Sequence, residues 1–284
     1  MIQQKPDKQE SARSPFAGCA ILIAALAVMV FLIGFSILTL FRQFNEIAKF
    51  TAEKPVKVEI SSVENKQSEI AQLTERIEKF RQQLSGDGDV SLALSVDDLN
   101  LAIAHYDSLK ELRGTFRVLS VQGEKVRVAI SFPLNGKPRF THKGETGWIT
   151  SDSRFLNGTL VARPTLLKKE VVLSLDAIEV PGMKVAPEFI EQMSPYRITE
   201  RYLSDKIIGP AMGQFTRVAV VDDKVVLSRK PGEIPVEALT NAQMDAGSRR
   251  LFTTLGIAAA CFLAFAGLII LIGIRAKSRK NFQQ

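Results

Sequence analysis

The sequence predicts an α+β domain held at a membrane: an antiparallel sheet of about six strands with packed helices, flanked by two transmembrane helices and a short N-terminal coiled-coil helix. Three observations carry that expectation. Two uncharged apolar runs bracket the 284-residue chain, 26 residues from Phe16 to Phe41 and 24 from Leu251 to Ile274, each exceeding the ~20 residues a helix needs to cross a hydrocarbon core. Between them, apolar residues recur at period two in segments separated by turn residues, the mark of hairpins with one buried face. Ahead of these segments the apolar spacing is seven. The expected order is a tail over 1–15, a first span over 16–41, a juxtamembrane stretch over 42–60, an amphipathic or coiled-coil helix over 61–85, an α+β domain over 90–230, a connector over 231–250, a second span over 251–274 and a basic tail over 275–284.

The first span follows a leader with Lys5, Lys8 and Arg13, as a signal peptide does. A cleavable signal has an apolar region of roughly 7–15 residues and then a small-x-small site, so this longer run reads as a retained anchor. Phe16-Ala17-Gly18-Cys19 resembles the box before a lipidated cysteine, but here the apolar stretch follows the cysteine. Seven Lys or Arg lie in the two tails, four of them between Arg275 and Lys280, against six in the loop flanks beside the spans. Long loops translocate largely regardless of charge, so the short tails decide. The expected topology is two spans of the inner (cytoplasmic) membrane, both termini cytoplasmic and the middle domain extracytoplasmic.

The net charge of +7 divides into +1 for the N-terminal tail, +4 for the C-terminal tail and +2 for the middle region. A nearly neutral globule lacks the electrostatic footprint for nucleic acid, and the bilayer is the partner expected for the tails. Cys19 and Cys261 both fall in the apolar runs. The middle region therefore has no disulfide, thiolate catalyst or cysteine-ligated zinc, and its roughly 160 residues must be held by a core.

Val63, Ile70, Ile77 and Leu84 recur every seven residues, with Leu73 and Phe80 interleaved. This spacing fits either a homodimer seam through 63–84 or an amphipathic helix lying on its own domain. Ser85-Gly86-Asp87-Gly88-Asp89 ends it as a flexible joint, without the spacing of a calcium loop. Ser95 is then placed to cap a helix, with Asp98 in the capping-box position, which accounts for the Asp97-Asp98 pair without chemistry.

Phe116 to Val121 and Val126 to Phe132 form a first hairpin around Gln122-Gly123. The polar stretch that follows carries Trp148, the only tryptophan, between two glycines and the strands. It is either a contact site for a partner or a lid folded over the sheet edge. Arg154 to Arg163 and Glu170 to Val180 form a second hairpin joined across Pro164, and Thr216 to Val221 with Lys224 to Arg229 a third, across Asp222-Asp223. Asn157-Gly158-Thr159 fits a glycosylation acceptor but also an Asn-Gly kink or bulge. Pro187 to Tyr196 and Ile198 to Phe215 read as helices broken at Gly209-Pro210. Phe189, Met193 and Met212, with Met183, offer the wall of a pocket for a lipid or other apolar ligand, or else ordinary core.

The Ser95-capped Asp97-Asp98-Leu99-Asn100 helix, the Arg154-Phe155-Leu156-Asn157-Gly158-Thr159 strand, the Pro187-centred helical insert and the closing Asp222 hairpin together resemble membrane-anchored extracytoplasmic domain proteins of bacteria, the YpmS-like group among them. The resemblance covers about residues 91–229. It implies an envelope role related to lipid handling, with no catalytic residues to carry over. The second apolar run departs from the single-anchor layout of that group.

His105 and His142 are single and far apart, and no Gly-x-Ser-x-Gly, Ser-x-x-Lys or phosphate-cradling glycine loop is present. No catalytic residue, metal or cofactor is therefore expected. The expected function is non-enzymatic: an extracytoplasmic module for envelope scaffolding or for binding a lipid or envelope protein. Two other classes stand beside it. One is an accessory sensor acting through a partner's membrane helices, which Gly256, Ala260 and Ala264 at four-residue spacing would let approach closely. The other is a hydrolase assembled from distant strands.

Overall fold

The computed structural model describes residues 15–60 and 63–235 and, beyond them, Thr253, Gly256, Ile257, Ala259, Ala260, Cys261, Leu263, Ala264 and Gly267. The chain divides into two compact units, one of residues 1–42 with 242–284, the other of residues 43–241.

Helix α1 spans Pro15–Ala48. Met29, Phe31, Ile33 and Leu38 are among its exposed apolar side chains. Among the described residues one helix is long and apolar enough to cross a membrane, Leu26–Ala48, with none of its apolar window buried. Membrane spans and signal sequences share that length and composition. One such helix thus stands where two were expected. Most of Leu251–Ile274 falls outside the described residues, as do both expected tails and the greater part of the connector. Within that second run Gly256, Ala260 and Ala264 are helical and exposed.

The second unit holds two antiparallel sheets in place of the single six-stranded one. Strand β1 is Val90–Leu94, β2 Phe116–Gln122, β3 Lys125–Phe140, β4 Ile149–Leu167, β5 Glu170–Glu179, β6 Arg217–Val221 and β7 Lys224–Arg229. The larger sheet runs β2-β3-β4-β5 and the smaller β1-β7-β6. The unexpected strand is β1, whose short run ahead of a helix cap finds its partner in β7, with Val90 opposite Arg229.

The hairpins follow from turn chemistry. Asp222 and Asp223 both take left-handed φ, 48° and 57°, as a two-residue type I′ turn requires. Lys168 and Lys169 do the same at 49° and 66°, so the β4–β5 turn lies there. Pro164 sits inside β4 opposite Leu173.

Helix α2 (Gln67–Leu84) buries Ile70, Leu73, Phe80 and Leu84, so its apolar stripe packs on its own domain. A 63–84 homodimer seam built on the same side chains would have to pull them from the core. Helix α3 (Val96–His105) starts with the expected capping box: Asp98 N–H donates to Ser95 Oγ at 3.1 Å and Ser95 N–H donates to Asp98 Oδ2 at 2.9 Å.

The two expected helices over 187–215 are replaced by shorter pieces. Helix α4 is Pro187–Met193, a 3-10 turn covers Glu200–Tyr202, and helix α5 is Ile208–Met212. The residues between α4 and the turn are extended against β5, where Tyr196 and Leu173 exchange backbone hydrogen bonds of 2.8 and 2.9 Å. Gly209 permits a close crossing, since a Cβ there would stand 2.3 Å from the Leu203 carbonyl oxygen.

One core joins these parts. Val128, Leu156, Leu160 and Leu166 of the larger sheet cluster with Leu73 and Leu84 of α2, Phe50 before it, and Val218 and Val225 of the smaller sheet. The folded unit accordingly takes in the juxtamembrane stretch from residue 43 and α2, which the sequence had set outside the domain.

Candidate binding groove

The larger sheet presents its second face to a strap formed by residues 50–59. Strand pairing lays a row of side-chain positions across that face: Arg117 of β2 opposite Ala129 of β3, Ala129 opposite Thr159 of β4, and Thr159 opposite Glu179 of β5. The middle of the row is small and its ends are charged. A register slip between Val118 and Ser120 leaves Leu119 at the bulge, half-exposed.

Asn157 ties the strap down. Its Nδ2 donates to the Lys54 carbonyl at 3.0 Å, and its Oδ1 accepts from Val56 N–H at 3.1 Å and from Ser131 Oγ at 2.8 Å. Ala52 and Phe155 exchange backbone bonds of 2.9 and 2.7 Å, and Val58 N–H donates to the Gly114 carbonyl at 3.0 Å. Gly158 beside it is required by close packing, because a Cβ would stand 2.5 Å from the Glu179 carbonyl oxygen. The Asn-Gly-Thr sequence is thus neither kink nor bulge: pairing runs straight through Asn157, Gly158 and Thr159.

Strap and sheet enclose a groove of about 680 Å³, its walls including Phe50, Val56, Leu119, Ile130, Val180 and Met183. That size suits a small apolar or amphipathic ligand. Arg117, Lys57, Glu59 and Glu179 stand at its polar edges. Arg117 Nη1 donates to the Glu59 carbonyl at 3.2 Å, while its buried Nε–H meets no acceptor. The Arg127 guanidinium, bonded to both Glu179 carboxylate oxygens, holds the Glu179 pKa below its ordinary value.

The residues singled out from sequence do not converge here. Met212 is 4% exposed in the core. Met193 and Phe189, both of α4, are partly buried against the core, and the Phe189 ring meets Phe50 at 4.9 Å between centroids, behind the groove wall. Of the methionines it is Met183 that faces the groove. Trp148 lies apart from the groove, 88% exposed, so it is no lid over a sheet edge. Gly256, Ala260 and Ala264 belong to the other unit. Sequence reasoning missed Phe50, Val56, Arg117 and Leu119. The available signal was Leu119, an apolar residue out of phase with the buried Phe116 and Val118 of the same strand.

Among the described residues no cluster of three or more His, Cys, Asp or Glu is placed to hold a metal ion. Comparisons of the chain with protein-family models, with curated proteins and with solved structures return no match.

Proposed function

We propose that this chain is a membrane-anchored module of the cell envelope that binds a lipid acyl chain or similar apolar ligand in the groove between the 50–59 strap and the larger sheet. In this reading two spans fix the chain in the cytoplasmic membrane, both termini are cytoplasmic and the α+β unit is extracytoplasmic. The groove carries the proposal: an apolar slot with charged residues at its edges, two residues beyond the last residue of α1 at its nearest wall residue, Phe50. The envelope role implied by the YpmS-like resemblance agrees with it. The role is binding and not catalysis. Glu179, an acid of the groove, is held low by Arg127, whereas a general acid or base works best with a pKa near the operating pH.

The test is crosslinking of the full chain in membranes by a fatty acid carrying a photoreactive group in its tail, followed by peptide mapping. Label is expected on the peptides containing Leu119 and Met183, falling several-fold in Leu119→Glu, whose half-exposed site tolerates the charge. Label confined to α1, with none in the groove, would sink the reading.

A further inference from the structure

The β3–β4 hairpin runs on past the rest of the sheet and ends in an apolar tip. Phe140 is 80% exposed, Trp148 88% and Ile149 68%. Phe140 and Ile149 are cross-strand partners, and Thr141 N–H donates to the Trp148 carbonyl at 3.3 Å, so the three side chains share one end of the hairpin. Large apolar residues gathered at an exposed tip mark a contact surface.

The tip is built to keep its form. Arg139 bonds Glu145 through Nη1 and Nη2, at 2.8 and 2.7 Å, and Asp152 through Nε at 3.0 Å. His142 N–H donates to Glu145 Oε2 at 2.7 Å, and Thr141 Oγ1 donates to the Gly147 carbonyl at 2.9 Å. Both acids of the tip are thereby paired with one guanidinium. Lys143 in the turn and Lys137 further back in β3 add positive charge to the hairpin.

Exposed aromatic and aliphatic side chains on a hairpin that also carries lysines are the composition of a bilayer interface, where indole rings favour the headgroup level and lysines meet anionic lipid. The hairpin is also fastened next to the end of α1. Arg154 Nη2 donates to the carbonyl of Ala48, the last residue of that helix, at 3.1 Å. Ile149 lies five positions before Arg154 in β4, about 17 Å at strand rise.

We infer that Phe140, Trp148 and Ile149 form an interfacial membrane anchor: the hairpin tip enters the headgroup region of the bilayer. The site is separate from the groove and does not depend on its ligand.

Trp148 is the only tryptophan in the chain, so its fluorescence reads the tip alone. The full chain is reconstituted in vesicles of phosphatidylcholine and phosphatidylglycerol, with or without phosphatidylcholine brominated on its acyl chains close to the headgroup. Brominated lipid is expected to quench Trp148 strongly while acrylamide in the water quenches it weakly. Phe140→Ser with Ile149→Ser, at sites far from the core, is expected to cut the bromolipid quenching several-fold and restore quenching by acrylamide. Strong acrylamide quenching of the wild-type chain with no bromolipid effect overturns the inference, because the tip is then in water. Blue-shifted emission insensitive to both quenchers also overturns it, because protein, such as a second copy, then covers the tip.

Discussion

Asn100 is the residue on which α3 meets the larger sheet. It is 6% exposed, and its amide does for Val118 what a neighbouring strand would: Nδ2 donates to the Val118 carbonyl at 2.8 Å and Oδ1 accepts from the Val118 N–H at 2.9 Å. Val118 needs this because β2 is an edge strand of the larger sheet and has no strand on that side. Asn100→Ala would strand a buried donor and a buried acceptor, each costing about 1–3 kcal/mol, so a loss of roughly 2–6 kcal/mol is expected in denaturant unfolding of the full chain. Asn100→Asp keeps the acceptor but loses the donor and turns a carboxylate toward a carbonyl, so it should be no milder. A loss below about 0.5 kcal/mol for the alanine variant, the scale of an ordinary surface substitution, would refute this role. Nothing local foretells it, since the partner is backbone 18 residues away. The same limit hid Asn157, whose sequence neighbourhood pointed to glycosylation or a kink, whereas its amide holds the strap more than a hundred residues upstream.

Elements whose logic is local were legible, and those decided by distant partners were not. The Ser95–Asp98 capping box and the Asp222-Asp223 turn formed as their residue types dictate. The β4–β5 turn was misplaced because Pro164 looks like a break. The proline lies past the end of the β3 pairing, which stops at Ala162, so one edge of β4 is free there and the missing N–H is tolerated. The α3 cap gives a prediction at this scale. Burial works against the Asp98 charge, but the Ser95 N–H and the Arg76 guanidinium of α2 outweigh it and hold its pKa below 3.8. A depressed carboxylate contributes stability above its unfolded pKa and loses it as pH falls through the lower folded value. Asp98→Ala should therefore cost about 1 kcal/mol at neutral pH, the usual worth of a cap. The gap from wild type should narrow once pH drops below 3.8. Thermal melts of both proteins across pH 2–7 check it: a gap that stays constant to the acid limit would show that the Asp98 charge plays no part.

At the scale of the whole molecule, the sequence located the folded mass and its class but drew its edge too far along the chain. Periodicity identified α2, yet a heptad stripe has the same spacing whether it meets a second copy or its own sheet, and only the tertiary structure distinguishes them. Ile70, Leu73, Phe80 and Leu84, together with Phe50 of the strap, enter the same core as the strands. Closure comes from the far end of the domain: β1 pairs with β7, and Arg229 bonds the carbonyls of Leu84 and Gly86 across more than 140 residues. Removing everything before residue 90 deletes five buried apolar side chains, at about 1.5–3 kcal/mol each. That total, roughly 8–15 kcal/mol, matches the entire stability of an ordinary domain, about 5–15 kcal/mol. A fragment of residues 90–230 is therefore expected to lack a cooperative melt and to aggregate through the bared faces of β1 and α3. A fragment of residues 43–235 should unfold in one sharp transition. Because its α2 stripe is spent inside the chain, it should also sediment as a monomer. Cooperative folding of the shorter fragment would show that strap and α2 are accessories to the domain. A stable dimer of the longer one, abolished by Leu73→Ala while the monomer stays folded, would show instead that the stripe serves a second copy.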